Sequence, residues 1–175
     1  MRSVFPKDLF SGINPGKLLR YFAYLVACLI TQNILLTQLR ILDVCPLVTP
    51  AVAVAMGMFE GATWGPLFSL VLGIFSDMAF VENTVFFTLL LPALSFVAAF
   101  VANYYINRRF FAYMGAAAGG LAITAAGQLL KTAAADSFSV VMVTTALLQT
   151  LWSLPFAAAA YLPPARISRA DFSSQ

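Results

Sequence analysis

The sequence contains no histidine. That absence excludes Ser–His nucleophilic triads, the histidine pairs of zinc proteases and haem ligation through imidazole. Charge is also scarce. Asp, Glu, Lys and Arg together make up 10% of the residues, against about 25% in soluble domains. An ordinary soluble fold is thereby excluded, and a net charge of +3 gives no case for a nucleic-acid partner. Cysteine is limited to Cys28 and Cys45, one in an apolar run and one at its far border. No disulfide framework is expected, and both read as small membrane-buried residues.

What the chain does have is apolar surface: 175 residues, 61% of them hydrophobic, with a mean hydropathy of +0.88. This is the composition of a membrane protein, with room for one compact all-α membrane domain and no second, soluble one. Residues 1–17 are too polar and too interrupted by Pro and Gly to span. They form an arm that either lies at the headgroups, its Lys and Arg against anionic lipid, or is frayed. No cleaved signal peptide is expected, because the first apolar run starts near Leu18 without a small-x-small site behind it.

Six apolar segments fill residues 18–162, and a tail follows over 163–175. A span needs about 20 residues. The first segment, 18–36, ends in the polar cluster Thr31-Gln32-Asn33. The second, 47–59, is short, begins between Pro46 and Pro50, and either crosses or enters and returns. The third covers 64–80. The fourth, 85–106, contains Pro92, which predicts a kink. The fifth, 111–130, is rich in Ala and Gly, and the sixth, 139–162, is closed by Pro163-Pro164. Six crossings from a cytoplasmic N-terminus place Arg2, Lys7, Lys17, Arg20, Arg108, Arg109, Arg166 and Arg169 inside. Only Arg40 and Lys131 of the ten basic residues then lie outside, as the positive-inside rule requires. The expected topology is N-in, C-in.

The densest pattern runs from Met56 to Ala79, where Gly57, Gly61, Gly65, Ser69, Gly73 and Asp77 recur every fourth residue. Each such step turns about 40° around a helix, so the series cannot be one flat stripe. Gly61 and Gly65, with Pro66, predict a turn between two helices, the second carrying Ser69, Gly73 and Asp77 towards the interior. A carboxylate at membrane depth needs a partner or a wet cavity. Asp77 is thus a polar anchor for a partner helix or a proton or ligand site, unless it is an interfacial residue capping the loop at Glu82-Asn83-Thr84. Glu60 is expected in the tight inner turn as a solvated or capping charge.

A single Asp at depth cannot form an aspartyl-protease dyad. Ser69 and Ser76 have no base nearby and read as packing or back-bonded hydroxyls. Thr31-Gln32-Asn33 either makes interhelical hydrogen bonds or lines a pocket near the outer surface. Arg108-Arg109, after Asn103-Tyr104-Tyr105, marks a cytoplasmic border in contact with anionic lipid. In the fifth span Gly115 and Gly119, among Gly120, Gly127 and many alanines, predict a close helix crossing. Trp152 and Pro155 predict packing and a kink in the last span. No catalytic constellation, cofactor site or metal site emerges.

From Gln32 to Arg109 the order of features resembles MreD, a family of small integral-membrane proteins of the bacterial rod-shape system. The resemblance rests on T-Q-N-I-L-L-T-Q-L-R-I-L-D-V-C-P, then F-E-G-A-T-W-G, then P-L-F-S-L-V-L-G-I-F-S-D. Gln32, Asn33, Pro46, Glu60, Gly61, Gly65, Gly73 and Asp77 occupy matching places. The family usually has a glycine shortly after that Asp, and Met78–Asn83 contains none. Beyond Arg109 the likeness is limited to hydrophobicity and span count. The resemblance implies a non-enzymatic scaffold of the bacterial cytoplasmic membrane that binds the single-span protein MreC. Such a scaffold helps connect MreB filaments to peptidoglycan synthases. Its small-residue faces, with Gly57, Gly61, Gly65 and Gly73, would pack partner helices, and Asp77, Gln32 and Asn33 would fix register.

MreD-like proteins are similar in fold to S-components, the substrate-binding subunits of energy-coupling-factor vitamin importers. The resemblance therefore implies a compact, S-component-like bundle of six helices, and an importer subunit is the alternative function. That alternative requires an outer ligand cavity, for which Gln32, Asn33 and Asp77 are the candidates. It also requires small residues on the first helix, where Ala23 and Ala27 stand one turn apart.

Overall fold

A computed structural model describes residues 15–35, 38, 45–79, 85–104, 110–135, 140–162 and 164. Arg108, Arg109, most of the N-terminal arm and most of the C-terminal tail lie outside the described residues. Within them the chain is helical, with no strand. Helix α1 runs Pro15–Ile30, opened by a proline whose missing N–H costs nothing in a first turn. A π-helical turn, Thr31–Leu35, continues it. Helix α2 is Thr49–Ala79, α3 is Phe86–Tyr104, α4 is Phe110–Ala135 and α5 is Val140–Ala160.

Helix α2 is two limbs. Gly61 has φ 81° and ψ −171°, a backbone conformation closed to most L-residues, and the helix breaks there. The break reverses the chain. A Cβ built on Gly65 would lie 2.7 Å from the Cα of Gly57, whereas residues eight apart on a straight helix are separated by about 12 Å. The expected turn at Gly61–Pro66 is therefore tighter than its pattern suggested. Gly61 alone makes it, while Gly65 and Pro66 already belong to the second limb.

The first limb, residues 49–60, is the axis of the molecule. Every residue from Thr49 to Met58 is buried. On one side Val52, Ala53 and Met56 pack with Leu25 and Cys28 of α1, Leu72 of the second limb and Phe87 and Leu91 of α3. On the other, Ala51, Val54, Ala55 and Met58 pack with Tyr113, Ala117 and Leu121 of α4, and with Ala98 and Ala157. A limb of this length is about 18 Å long, well short of the ~30 Å hydrocarbon core.

Among the described residues four helices are long and apolar enough to cross a membrane: Thr49–Ala79, Phe86–Asn103, Phe110–Lys131 and Val141–Ala160. Their outward faces carry Leu67, Leu89, Phe96, Phe111, Leu147 and Leu151, all exposed. Such a surface suits lipid and not water. The protein is a polytopic helical membrane protein.

Candidate functional site

The start of the first limb is held by a set of clamps on its backbone. Pro46 and Pro50 have no N–H to satisfy, whereas Leu47 and Val48, both buried, carry N–H donors ahead of the helix that need partners. The N–H of Val48 donates to Gln32 Oε1 at 2.8 Å, and Gln32 Nε2 donates to the carbonyl of Pro46 at 3.2 Å. The N–H of Leu47 donates to Ser153 Oγ at 2.7 Å. That hydroxyl donates back to the Gln149 carbonyl in α5 at 2.7 Å. Gln149 Nε2 reaches the Cys45 carbonyl at 3.3 Å. The π turn gives Gln32 its inward position while leaving the next residue, Asn33, exposed.

The polar cluster at the end of α1 therefore divides. Gln32 is a backbone clamp, Thr31 bonds back to the Ala27 carbonyl, and Asn33 faces outward. Neither of the first two is free to line a pocket.

Further along, Tyr113 of α4 is fully buried. Its hydroxyl donates to the carbonyls of Ala157 at 2.8 Å and Ala51 at 3.3 Å, joining α4, α5 and the first limb. Tyr24 donates to the Ala160 carbonyl at 3.1 Å. The helical donor for that carbonyl would be residue 164, which is proline and has none. At the limb's end Glu60 accepts the hydroxyl of Tyr21. Glu60, expected in the tight inner turn, is the last residue of the first limb and stands directly before the reversal at Gly61. Cys28 and Cys45 are both free thiols.

Asp77 acts on a neighbouring helix. Its Oδ1 accepts the N–H of Phe87 at 3.0 Å; its Oδ2 accepts the N–H of Thr88 at 2.7 Å and the Thr88 hydroxyl at 2.6 Å. These are unsatisfied donors of the first turn of α3, so a carboxylate on α2 caps α3 at the positive end of its dipole. Gly73, one turn earlier, makes this possible. A Cβ there would lie 2.6 Å from the Phe87 carbonyl oxygen and 2.8 Å from the Thr88 Cα. Gly57 likewise lies directly against the main chain of Ser95.

The glycines thus have separate duties. Gly57, Gly65 and Gly73 are close-approach points inside the chain, and Gly61 is the reversal. In α4 the expected close crossing at Gly115 and Gly119 is not made among the described residues: none lies within 4 Å of a Cβ built on either. Gly120 and Gly127 face inward instead, against Val54 and the Phe86 ring. The difference is rotational, since Gly119 and Gly120 stand about 100° apart on the helix. Ser76 bonds back to the Leu72 carbonyl at 2.8 Å. The hydroxyls of Thr49, Ser69 and Ser95 are buried without a hydrogen-bond partner, as is the indole N–H of Trp152, whose ring stands edge-on to Phe156.

Sequence reasoning passed over Tyr24, Tyr113, Gln149 and Ser153. Two of them carried a signal. Gln149 and Ser153, four apart on an apolar span, mark a polar edge that must face protein and not lipid. No family model, curated protein or solved structure matches the chain.

Proposed function

We propose that this chain is a non-enzymatic membrane scaffold of the bacterial cell-elongation machinery, an MreD-like protein that packs against partner transmembrane helices such as that of MreC. It would sit in the cytoplasmic membrane with six crossings, N-in and C-in, each limb of α2 counting as one. The resemblance from Gln32 to Arg109 supports this reading. So does the use to which its residues are put. Gln32, Pro46, Gly61, Gly65, Gly73 and Asp77 work on the chain's own backbone and build a bundle around the first limb.

One observation carries the scaffold reading furthest: the open face of α4. Gly115, Gly119, Ala122 and Ala126 are exposed on one side of the helix, with free space over both glycines. Small residues at helix surfaces in lipid let a second backbone come close, and this chain leaves these unused. The importer alternative is favoured by Ala23 and Ala27, which are exposed on α1 at the required spacing. It loses Gln32 as a ligand group, because both ends of that amide are bound to main chain.

The test is a mild-detergent pulldown of tagged protein from its own cells, read by mass spectrometry. Co-purification of MreC and the elongation synthases, lost in Gly115→Leu while the yield of folded protein is unchanged, is the expected result. Recovery of transporter ATPases and a coupling subunit, with a bound vitamin, would overturn it. Gly73→Leu and Asp77→Leu are unsuited to this experiment, since both strike internal packing.

A further inference from the structure

A proline inside a helix leaves the carbonyl four residues before it without its donor. Helix α5 meets this twice. The Ala160 carbonyl, whose helical donor would be Pro164, accepts the Tyr24 hydroxyl of α1 at 3.1 Å. The Leu151 carbonyl loses its donor to Pro155, which lies inside the helix. Elsewhere Pro66 and Pro92 free the carbonyls of Ala62 and Thr88, each in the first turn of its helix, where a membrane border supplies water. Leu151 stands next to the middle of Val140–Ala160, so its carbonyl lies deep in the hydrocarbon.

Leu151 and Pro155 share one face of α5, and both are exposed. Ser153 and Ala157, each two residues further and about 200° around the helix, are buried against the bundle. The freed carbonyl therefore opens towards lipid. Among the described residues no side chain of another helix donates to it, and α5 stays α-helical here, without a 3₁₀ or π turn. Hydrocarbon has no donor to offer, so such a carbonyl calls for one from a neighbouring helix. The surface around it is free to receive that helix. Only 11% of the apolar stretch of α5 is buried, against 28–33% in the other three spans.

We propose that the face of α5 around Leu151 and Pro155 docks one transmembrane helix of a different protein, whose hydroxyl or carboxamide donates to the Leu151 carbonyl near the bilayer centre. A second copy of this chain, held at the same depth, has no such donor to give. Among the described residues, exposed polar side chains lie towards the ends of the helices. The nearest in α5 is Thr145, about 9 Å from Leu151 along the axis, and its hydroxyl is on the Val141 carbonyl. At the depth of Leu151, the Thr150 hydroxyl is on the Ala146 carbonyl and the Trp152 indole N–H is buried. This face belongs to a different helix from the open glycines of α4, and the inference holds for either function.

Site-specific photocrosslinking in native membranes tests it. Benzoylphenylalanine replaces Leu147, one turn from Leu151, or Leu89, an exposed control on α3. Position 147 should give a discrete protein adduct that position 89 does not. Its sequenced partner segment should carry Ser, Thr, Tyr, Asn or Gln within a turn of the crosslink. Lipid adducts alone, an adduct with a second copy, equal capture at position 89 or a wholly apolar partner segment would each overturn the proposal. Pro155→Ala returns a helical donor to the Leu151 carbonyl and should lower the adduct yield about fivefold, the loss of one interhelical hydrogen bond. Alanine at the partner's donor should do the same, and the two changes together should lose no more than either alone. Additive losses, or none, would show that the bond is not made.

Discussion

Asp77 does for α3 what a capping residue ordinarily does for its own helix, but from the helix before. Replacing a capping side chain by alanine costs about 0.5–2 kcal/mol, and here the carboxylate receives three donors. Asp77→Leu should therefore lower the unfolding free energy in detergent by about 2 kcal/mol. Asp77→Asn keeps an acceptor and should cost less than half as much. Equal losses from both, measured by denaturant titration of the purified protein, would show that charge rather than hydrogen bonding is required. The importance of Asp77 was legible in the sequence, because an isolated carboxylate ending an apolar run must have a partner. The partner was not. The expected alternative, the loop at Glu82-Asn83-Thr84, lies outside the described residues, and the contact at Gly73 brings the first turn of α3 within reach of Asp77.

Among the helices, glycine spacing and glycine function separate. Gly57, Gly61, Gly65 and Gly73 lie on the same four-residue register that Gly115 and Gly119 share, yet Gly57, Gly65 and Gly73 approach main chain, whereas no described residue comes within 4 Å of a Cβ built on Gly115 or Gly119. Gly73→Ala should destabilise the protein by about 1–3 kcal/mol, since the neighbours of the new methyl are backbone and cannot turn aside. Gly115→Ala should be neutral or stabilising by up to about 1 kcal/mol, the ordinary gain of alanine over glycine in a helix. Melting temperatures of the two variants in one detergent would decide this. A spacing of four identifies a small-residue face without saying what lies opposite, because the direction a face points depends on the helix's rotation in the bundle. The apolar segments themselves were read to within a few residues: residues 64–80 correspond to a limb over 62–79, and 85–106 to Phe86–Tyr104. Length and hydrophobic content suffice for that. The π turn at Thr31–Leu35 left no such mark in the sequence.

For the molecule as a whole, the open question in the sequence was whether the second segment crosses. The reversal at Gly61, with both limbs in one bundle, makes the position of that turn the deciding fact. Thr63 is exposed beside it and Val85 is exposed at the opposite end of the second limb. With six crossings, Thr63→Cys should react with a membrane-impermeant maleimide only from the cytoplasmic side, and Val85→Cys only from the outside. A Thr63→Cys protein labelled from neither side would place the turn within the bilayer and make the limb re-entrant.

The first limb also sets the order in which the protein can be made. From Thr49 to Met58 no residue faces outward, so in the finished molecule lipid never touches this segment, although a ribosome delivers it long before its sleeve is complete. Ser153 and Ala157, which close one side of that sleeve, are synthesised about 100 residues later. Until α5 arrives, the nascent chain holds a short helix whose entering backbone lacks the clamps of Ser153 and Gln149 and whose flank lies open to the bilayer. Chains terminated before α5 should be the ones that membrane quality-control proteases find first.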